Sequence, residues 1–251
     1  MGSFKKFKII ALIPARKGSE RFKNKNIVSL MSHPLLAYSI YSAKKSQIFD
    51  KIIVSTDSIK YAKIAKKYGA EVPGLRPKKI SKSKSSDFEW VNYVINFYKK
   101  KKVYFTHFFI LRPTSPFRTS NSIKLAWKKY INTKNCESLR AVSIVKEHPG
   151  KMWKIRNKYI KPFTNQKFLN QPSYNSQYKS LPVFFIQNAS LEISNISVLK
   201  KYRTITGKKI IPYFSKGFES FDINYPLDLD FLNYLIHKKK IKLPKIKKKK
   251  I

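Results

Sequence analysis

The chain has 251 residues, 42% hydrophobic and 14% aromatic, enough to build a sizeable core and too apolar for a disordered chain. Its 54 Lys+Arg against 13 Asp+Glu give a formal net charge of +41, yet only eight of those cations are Arg and no Arg-rich or aromatic-basic repeat occurs, which argues for a background bias toward Lys over a nucleic-acid-tracking face. One cysteine, Cys136, excludes an intrachain disulfide framework, and four scattered His (33, 107, 148 and 237) exclude a Cys/His metal site.

Residues 7–13 form a short apolar run ending at Pro14, the pattern of a buried strand. Residues 15–26 are polar and basic and read as a loop. Pro34 opens a helix over 34–46. A strand over 51–55, a helix over 58–68 stopped by Gly69, and an extended piece at 70–72 follow. Helical spacing returns over 87–98, a strand over 106–111, and a helix over 120–131 with Ser120 as its expected N-cap. Residues 139–145 read as a strand. The alternation breaks between 148 and 182, where Trp153, several Tyr and three prolines suggest hairpins, an arm that could pack on a second subunit. It resumes with short segments at 183–186, 194–201 and 208–213, and a last helix from about 226 to 239. Strand–helix alternation at this pitch predicts an α/β fold with a mostly parallel sheet. Residues 238–251 carry nine Lys in 14 positions and read as a solvated tail. No run of about 18 apolar residues marks a membrane span. No apolar run with a cleavage site marks a signal peptide, so a cytoplasmic location is expected.

The loop after the first strand sits where open α/β sheets bind ligands. Backbone N–H groups around Gly18, the Ser19 hydroxyl, and the charges of Arg16 and Lys25 could wrap a triphosphate. Neither G-x-x-x-x-G-K-[ST] nor G-x-G-x-x-G is present, so by spacing alone a solvated basic loop fits equally well.

The segment Ile13-Pro14-Ala15-Arg16-x-Gly18-Ser19, with Lys25-Asn26 after it, resembles the N-terminal signature of the acylneuraminate cytidylyltransferases (CMP-sialic acid and CMP-nonulosonate synthetases). Further blocks resemble that family in order: Pro34-Leu35 with Tyr38-Ser39-Ile40, Ile53-Val54-Ser55-Thr56-Asp57, and Gly69-Ala70-Glu71-Val72-Pro73 with Leu75-Arg76-Pro77. Leu111 to Arg118 is similar to its Pro-Thr-Ser-Pro loop, and Glu219 to Asn224, followed by Asp228, to its acidic block. The resemblance covers roughly residues 8–236.

It implies a three-layer, Rossmann-like nucleotidyltransferase fold over 1–239, with 148–182 as an inserted arm or dimerisation segment and 240–251 as a Lys-rich tail. The implied reaction joins CTP to an acidic sugar, releases pyrophosphate and uses Mg²⁺ or Mn²⁺. The implied catalytic residues are Arg16, Lys25 and Asp222. Ala15, Arg16, Ser19, Lys25, Asn26, Arg76, Ser85 and Arg112 would bind the nucleotide. Arg112 stands where better-known members carry Gln near the cytosine. Asp222 and Asn224 would hold the metal, with Asn in place of the second Asp of the family's Asp-x-Asp. Around Leu181-Pro182 the family's sialate-binding arginines are replaced by Tyr178 and Ile186. Lys179, Gln187 and Asn188 are therefore the candidates for the sugar, with Arg140 as a further cation, and a deoxygenated nonulosonate is the expected acceptor.

Other readings accompany several of these residues. Arg21 and Arg118 could be plain surface charge; Ser83, Ser85 and Ser86, which resemble a polar nucleotide-side segment, could be the cap of the helix at 87; and Asp57, a secondary acid candidate, could be a helix cap. A homodimer is expected. Alternatives for the whole chain are a cytidylyltransferase for a shorter ketoaldonate such as Kdo, and a non-catalytic basic α/β domain that binds nucleic acid.

Overall fold

The computed structural model describes residues 7–168, 170–244 and 246. The chain divides into two compact units, residues 1–141 with 188–251, and residues 142–187.

In the first unit, β1 (Ile9–Pro14) is apolar and buried from Ile9 to Ile13, as a central strand must be. A two-residue pairing of β2 (Ser29–Leu30) with β3 (His33–Pro34) leads into α1 (Leu35–Ser46). Then come β4 (Lys51–Ser55), α2 (Ile59–Lys67), α3 (Asp87–Lys100), β5 (His107–Ile110), α4 (Ser120–Asn132) and β6 (Ser138–Ile144). The six-stranded sheet has the order β12-β6-β11-β5-β1-β4, where β11 is Phe185–Asn195 and β12 is Ile210–Phe214. β1 pairs in parallel with both β4 and β5, and β11 runs antiparallel to β5.

Side-chain alternation along β1 and β5 separates two cores. Ile9, Ala11, Ile13 and Phe109 pack with Leu36 and Ile40 of α1, Ala65 of α2 and Ile123 of α4. Ile10, Leu12, Phe108 and Ile110 pack with Trp90, Val91 and Val94 of α3 and with Leu199 of α5 (Ser197–Tyr202). Helices therefore cover both faces of the sheet, which gives three layers. Each of the Leu, Ile, Val and Phe side chains contributes about 1.5–3 kcal/mol on leaving water.

A third cluster attaches α6 (Pro226–His237). Leu30, Leu35, Tyr38, Phe117, Ile223 and Leu232 enclose Ile241, against which Leu243 and Ile246 pack. The expected solvated tail is thus corrected in its first part: Ile241 is only 8% exposed. Lys239 turns left-handed at φ 54, and the Lys240 N–H closes on the Leu235 carbonyl, so the chain folds back and returns its apolar residues to the core. Residues 245 and 247–251 of that tail lie outside the described residues.

Other local expectations shift by small physical causes. Thr119, not Ser120, caps α4, its hydroxyl accepting the Ser122 N–H at 3.0 Å. The segment 194–201 is not one element: β11 continues to Asn195, and only Ser197–Tyr202 is helical. Residues 70–72 contribute one parallel bridge, Ile53 to Glu71.

The second unit holds hairpins. β7 (Trp153–Arg156) pairs antiparallel with β8 (Tyr159–Pro162), and β9 (Lys167–Phe168) with β10 (Gln171–Pro172). His148 braces its base: Nδ1 accepts the Gly150 N–H and Nε2 donates to the Pro182 carbonyl, both at 2.9 Å. Ile155, Tyr159 and Ile160 of the β7–β8 hairpin are exposed, at 82%, 64% and 58%.

Candidate active site

The order of the sheet places the site. From β1 the chain moves to β4 on one side and later to β5 on the other, so a crevice opens at the carboxyl end of β1 between the loops that leave β1 and β5. A cleft lies there, lined among others by Arg16, Ser19, Lys25, Asn26, Arg112 and Asp222.

The first loop is built as a cradle. Ala15 is fully buried and its N–H donates to the Ser55 carbonyl at 3.0 Å, which continues the β1–β4 pairing. The Lys17 N–H donates to Asp57 at 2.8 Å, so Asp57 anchors the loop, while Ser58 caps α2. Asn26 is buried and donates to the Arg16 carbonyl at 3.0 Å. These bonds leave the Arg16 guanidinium at the cleft, with one long bond (3.5 Å) to the Ser81 carbonyl. Burial pushes the Lys25 ammonium below its usual range, and Asp222 opposes that shift.

The acidic loop arrives from the far end of the chain. The Ile223 N–H donates to the Thr114 carbonyl at 2.9 Å, and Asp228 accepts the N–H groups of Asn224 and Tyr225 at 2.7 and 2.8 Å. Asp222 Oδ2 accepts from Asn224 Nδ2 at 2.8 Å, while its Oδ1 is buried with no hydrogen-bond partner. A buried carboxylate oxygen without a donor is costly and marks a place for a cation. The Asn224 Oδ1 beside it is bound by Lys25 Nζ at 3.2 Å. Hard oxygens suit Mg²⁺, which usually takes one or two carboxylates together with substrate phosphates. Among the described residues no cluster of three or more His, Cys, Asp or Glu could hold a metal without such help.

Arg76 is buried, with Nε on the Ser55 hydroxyl at 3.1 Å, Nη2 on the Ser55 carbonyl at 2.8 Å and its guanidinium 4.9 Å from the Trp90 ring centroid. Burial brings it down to about 10. Ser85 lines the cleft and its hydroxyl accepts the Lys82 N–H at 3.2 Å; Ser86 caps α3 in a capping box with Glu89.

A match to the family model described as cytidylyltransferase spans residues 10–246. The chain belongs to this family. It is 32% identical over 234 residues to an N-acylneuraminate cytidylyltransferase of Escherichia coli O18:K1:H7, a match covering 92% of this chain and 53% of that protein. The chain thus spans about half the length of that relative. It is also 32% identical over 223 residues to a CMP-N,N'-diacetyllegionaminic acid synthase of Legionella pneumophila, covering 88% of this chain and 93% of that one. Its fold is like that of a CMP:2-keto-3-deoxy-manno-octonic acid synthetase complexed with CTP, with a TM-score of 0.66 at 12% identity over 92% of this chain and 99% of that one.

One expectation from sequence needs correction. Arg118 is not surface charge: it is 1% exposed, donates to the carbonyls of Ser190 and Arg112 and to the Ser39 hydroxyl, and burial brings it down to about 9. Arg140 is ion-paired to Glu192 and donates to Thr206, so it is not a spare cation. Asn188 does not line the cleft; its amide donates to Ser215 at 3.1 Å and its oxygen accepts the Ser190 N–H at 3.1 Å.

Lys179 and Gln187 belong to the second unit, where both are exposed. Tyr178 donates its hydroxyl to the Lys146 carbonyl there, and Ile186 is exposed. Two residues not singled out as site candidates emerge. Asp87 lines the cleft and takes Arg112 Nη2 at 2.6 Å, and Glu192 takes Nε and Nη2 of the same arginine at 3.2 and 2.7 Å.

Proposed function

We propose that this protein transfers CMP from CTP to an acidic sugar and releases pyrophosphate. The observation that carries the reading is the pairing, in a cleft at the sheet's switch point, of Arg16, Arg21 and Lys25 with the buried, partnerless Oδ1 of Asp222. Cations suit a triphosphate, and a carboxylate oxygen without a donor beside them suits a metal that the phosphates share.

In this reading the sugar hydroxyl attacks the α-phosphorus. The new bond runs from sugar oxygen to phosphorus, and the bond from the α-phosphorus to the bridging oxygen breaks. Arg16, Arg21 and Lys25 hold the departing pyrophosphate, and Ser19 adds a neutral donor. Asp222 and Asn224 would hold Mg²⁺ or Mn²⁺, which neutralises phosphate charge when bound. Ala15 and Asn26 keep the loop in shape from beneath.

For the acceptor we propose a nonulosonate, as the names of the relatives from E. coli and L. pneumophila suggest. The free thiol of Cys136 suits a reducing cytoplasm. A homodimer formed through residues 142–187 would cover the exposed Ile155, Tyr159 and Ile160; light scattering reports it as twice the chain mass. The function is tested by incubating the protein with CTP, Mg²⁺ and a panel of acidic sugars. Pyrophosphate release with a nonulosonate supports it, and none with any acidic sugar refutes it.

A further inference from the structure

A cleft meant for a polyanion has reason to avoid carboxylates. This one is lined by six cations, at 16, 21, 25, 76, 82 and 112, and by two acids. Asp222 stands with Lys25 and Asn224, beside the loop that would take the phosphates. Asp87 is different. It is linked to Arg112 and Trp90, and the apolar Ile80 and Pro113 line the same cleft.

The hydrogen bonds on this pair are uneven. Glu192, 3% exposed, takes Nε and Nη2 of Arg112, and Asp87 takes Nη2 as well. Arg112 Nη1 has no partner among the described residues. Asp87 accepts from Trp90 Nε1 on Oδ1 at 2.7 Å and from Arg112 on Oδ2, which leaves acceptor capacity on both oxygens. The Arg112 carbonyl is held at the same time by Ser39 at 3.1 Å and Arg118 at 3.2 Å. The wall thus presents a fixed donor beside a fixed acceptor.

That order matches one pyrimidine. Cytosine offers acceptors at O2 and N3 and a donor at its 4-amino group, and Asp or Glu accepts from that amine. Uracil reverses the last two groups, with a donor at N3 and an acceptor at O4. Against this wall it would set O4 toward a carboxylate and N3–H toward a guanidinium, leaving polar groups unpaired in a confined site.

We propose that Asp87, with Arg112, reads the 4-amino edge of the base and selects CTP over UTP. The inference rests on the proposed function for the choice of nucleotide, but not on its chemistry. Burial pushes the Asp87 carboxyl up, and Arg112, with the hydrogen bonds from Arg112 and Trp90, outweighs this and keeps it ionised at neutral pH.

The test is calorimetric binding of CTP and UTP, with Mg²⁺, to the wild type, Asp87→Asn and Asp87→Glu, with turnover measured in parallel. The wild type should prefer CTP by at least about 100-fold. Asp87→Asn, whose amide can turn either way, should bring the ratio within about tenfold, chiefly through weaker CTP and stronger UTP binding. Asp87→Glu should bind CTP more weakly and still prefer it. A folded Asp87→Asn that loses equally for both nucleotides and keeps the wild-type ratio overturns the inference and leaves the proposed function standing. A levelled ratio without turnover of any acidic sugar supports the inference and refutes the function. A wild type that binds neither nucleotide overturns both.

Discussion

The Lys25 ammonium lies 3.2 Å from Oδ1 of Asn224, 199 residues further along the chain. This one bond ties the basic loop after β1 to the acidic loop before α6 across the cleft. It also keeps Lys25 near Asp222, against the burial that lowers its pKa. Replacing Lys25 or Arg16 by Ala should cut kcat/KM for CTP by at least about 100-fold, the size of losing a preorganised charge contact. The unfolding midpoint should barely move. Near-normal kinetics in a folded variant would remove the residue from the triphosphate site.

The metal prediction follows from the partnerless Oδ1 of Asp222. Asp222→Ala should be inactive at every Mg²⁺ concentration. Asn224→Asp should raise apparent Mg²⁺ affinity, because it adds a charged hard ligand. A titration of rate against free Mg²⁺ checks both, and full activity in EDTA would refute them.

Arg118 should matter for stability more than its place beside the cleft suggests. It spans from the loop after β5 to α1 and β11 through Ser39, Ser190 and the Arg112 carbonyl. Arg118→Met would take a buried donor from each of those oxygens, leave the Arg112 carbonyl to Ser39 alone and cost about 3 kcal/mol. Chemical denaturation should show that loss; a change under about 0.5 kcal/mol, typical of surface substitutions, would contradict the buried-brace reading.

His107 gives a pH prediction. It is enclosed by Phe7, Trp127 and Tyr130, and burial brings its pKa down to about 4. The unfolded chain takes up a proton near pH 6.5 that the folded one refuses. The stability from the neutral ring is therefore intact above about pH 6.5 and falls as pH drops toward 4, by up to about 1.4 kcal/mol per unit. His107→Phe should flatten that part of the profile, and an unchanged slope would show that other groups set it.

The sequence reveals what local pattern can carry. β1, and β5 after His107, are unbroken apolar runs, and their alternation with amphipathic helices points to a parallel three-layer fold. The cradle around Arg16, Ser19, Lys25 and Asn26 follows from its place after β1. The polar interior is less legible. Ser190, Glu192 and Ser194 alternate along β11 and are all buried, yet a period-two polar face reads as solvent-facing. Its partners Arg112, Arg118 and Ser138 lie 80, 72 and 56 residues away, beyond any local pattern. Ile241 escaped for the opposite reason, since a few aliphatics scattered through a Lys run give no clear periodicity, and only the reversal after α6 returns it to Leu232 and Phe117.

The proposed reaction joins CTP to an acidic sugar. The most direct measurement is phosphorus NMR and mass spectrometry of the products formed from CTP, Mg²⁺ and a nonulosonate. A CMP-sugar phosphodiester and pyrophosphate are expected in equal amounts, both lost in Asp222→Ala. Intact CTP after prolonged incubation with every acidic sugar, or CTP hydrolysed without a CMP-sugar, would contradict it.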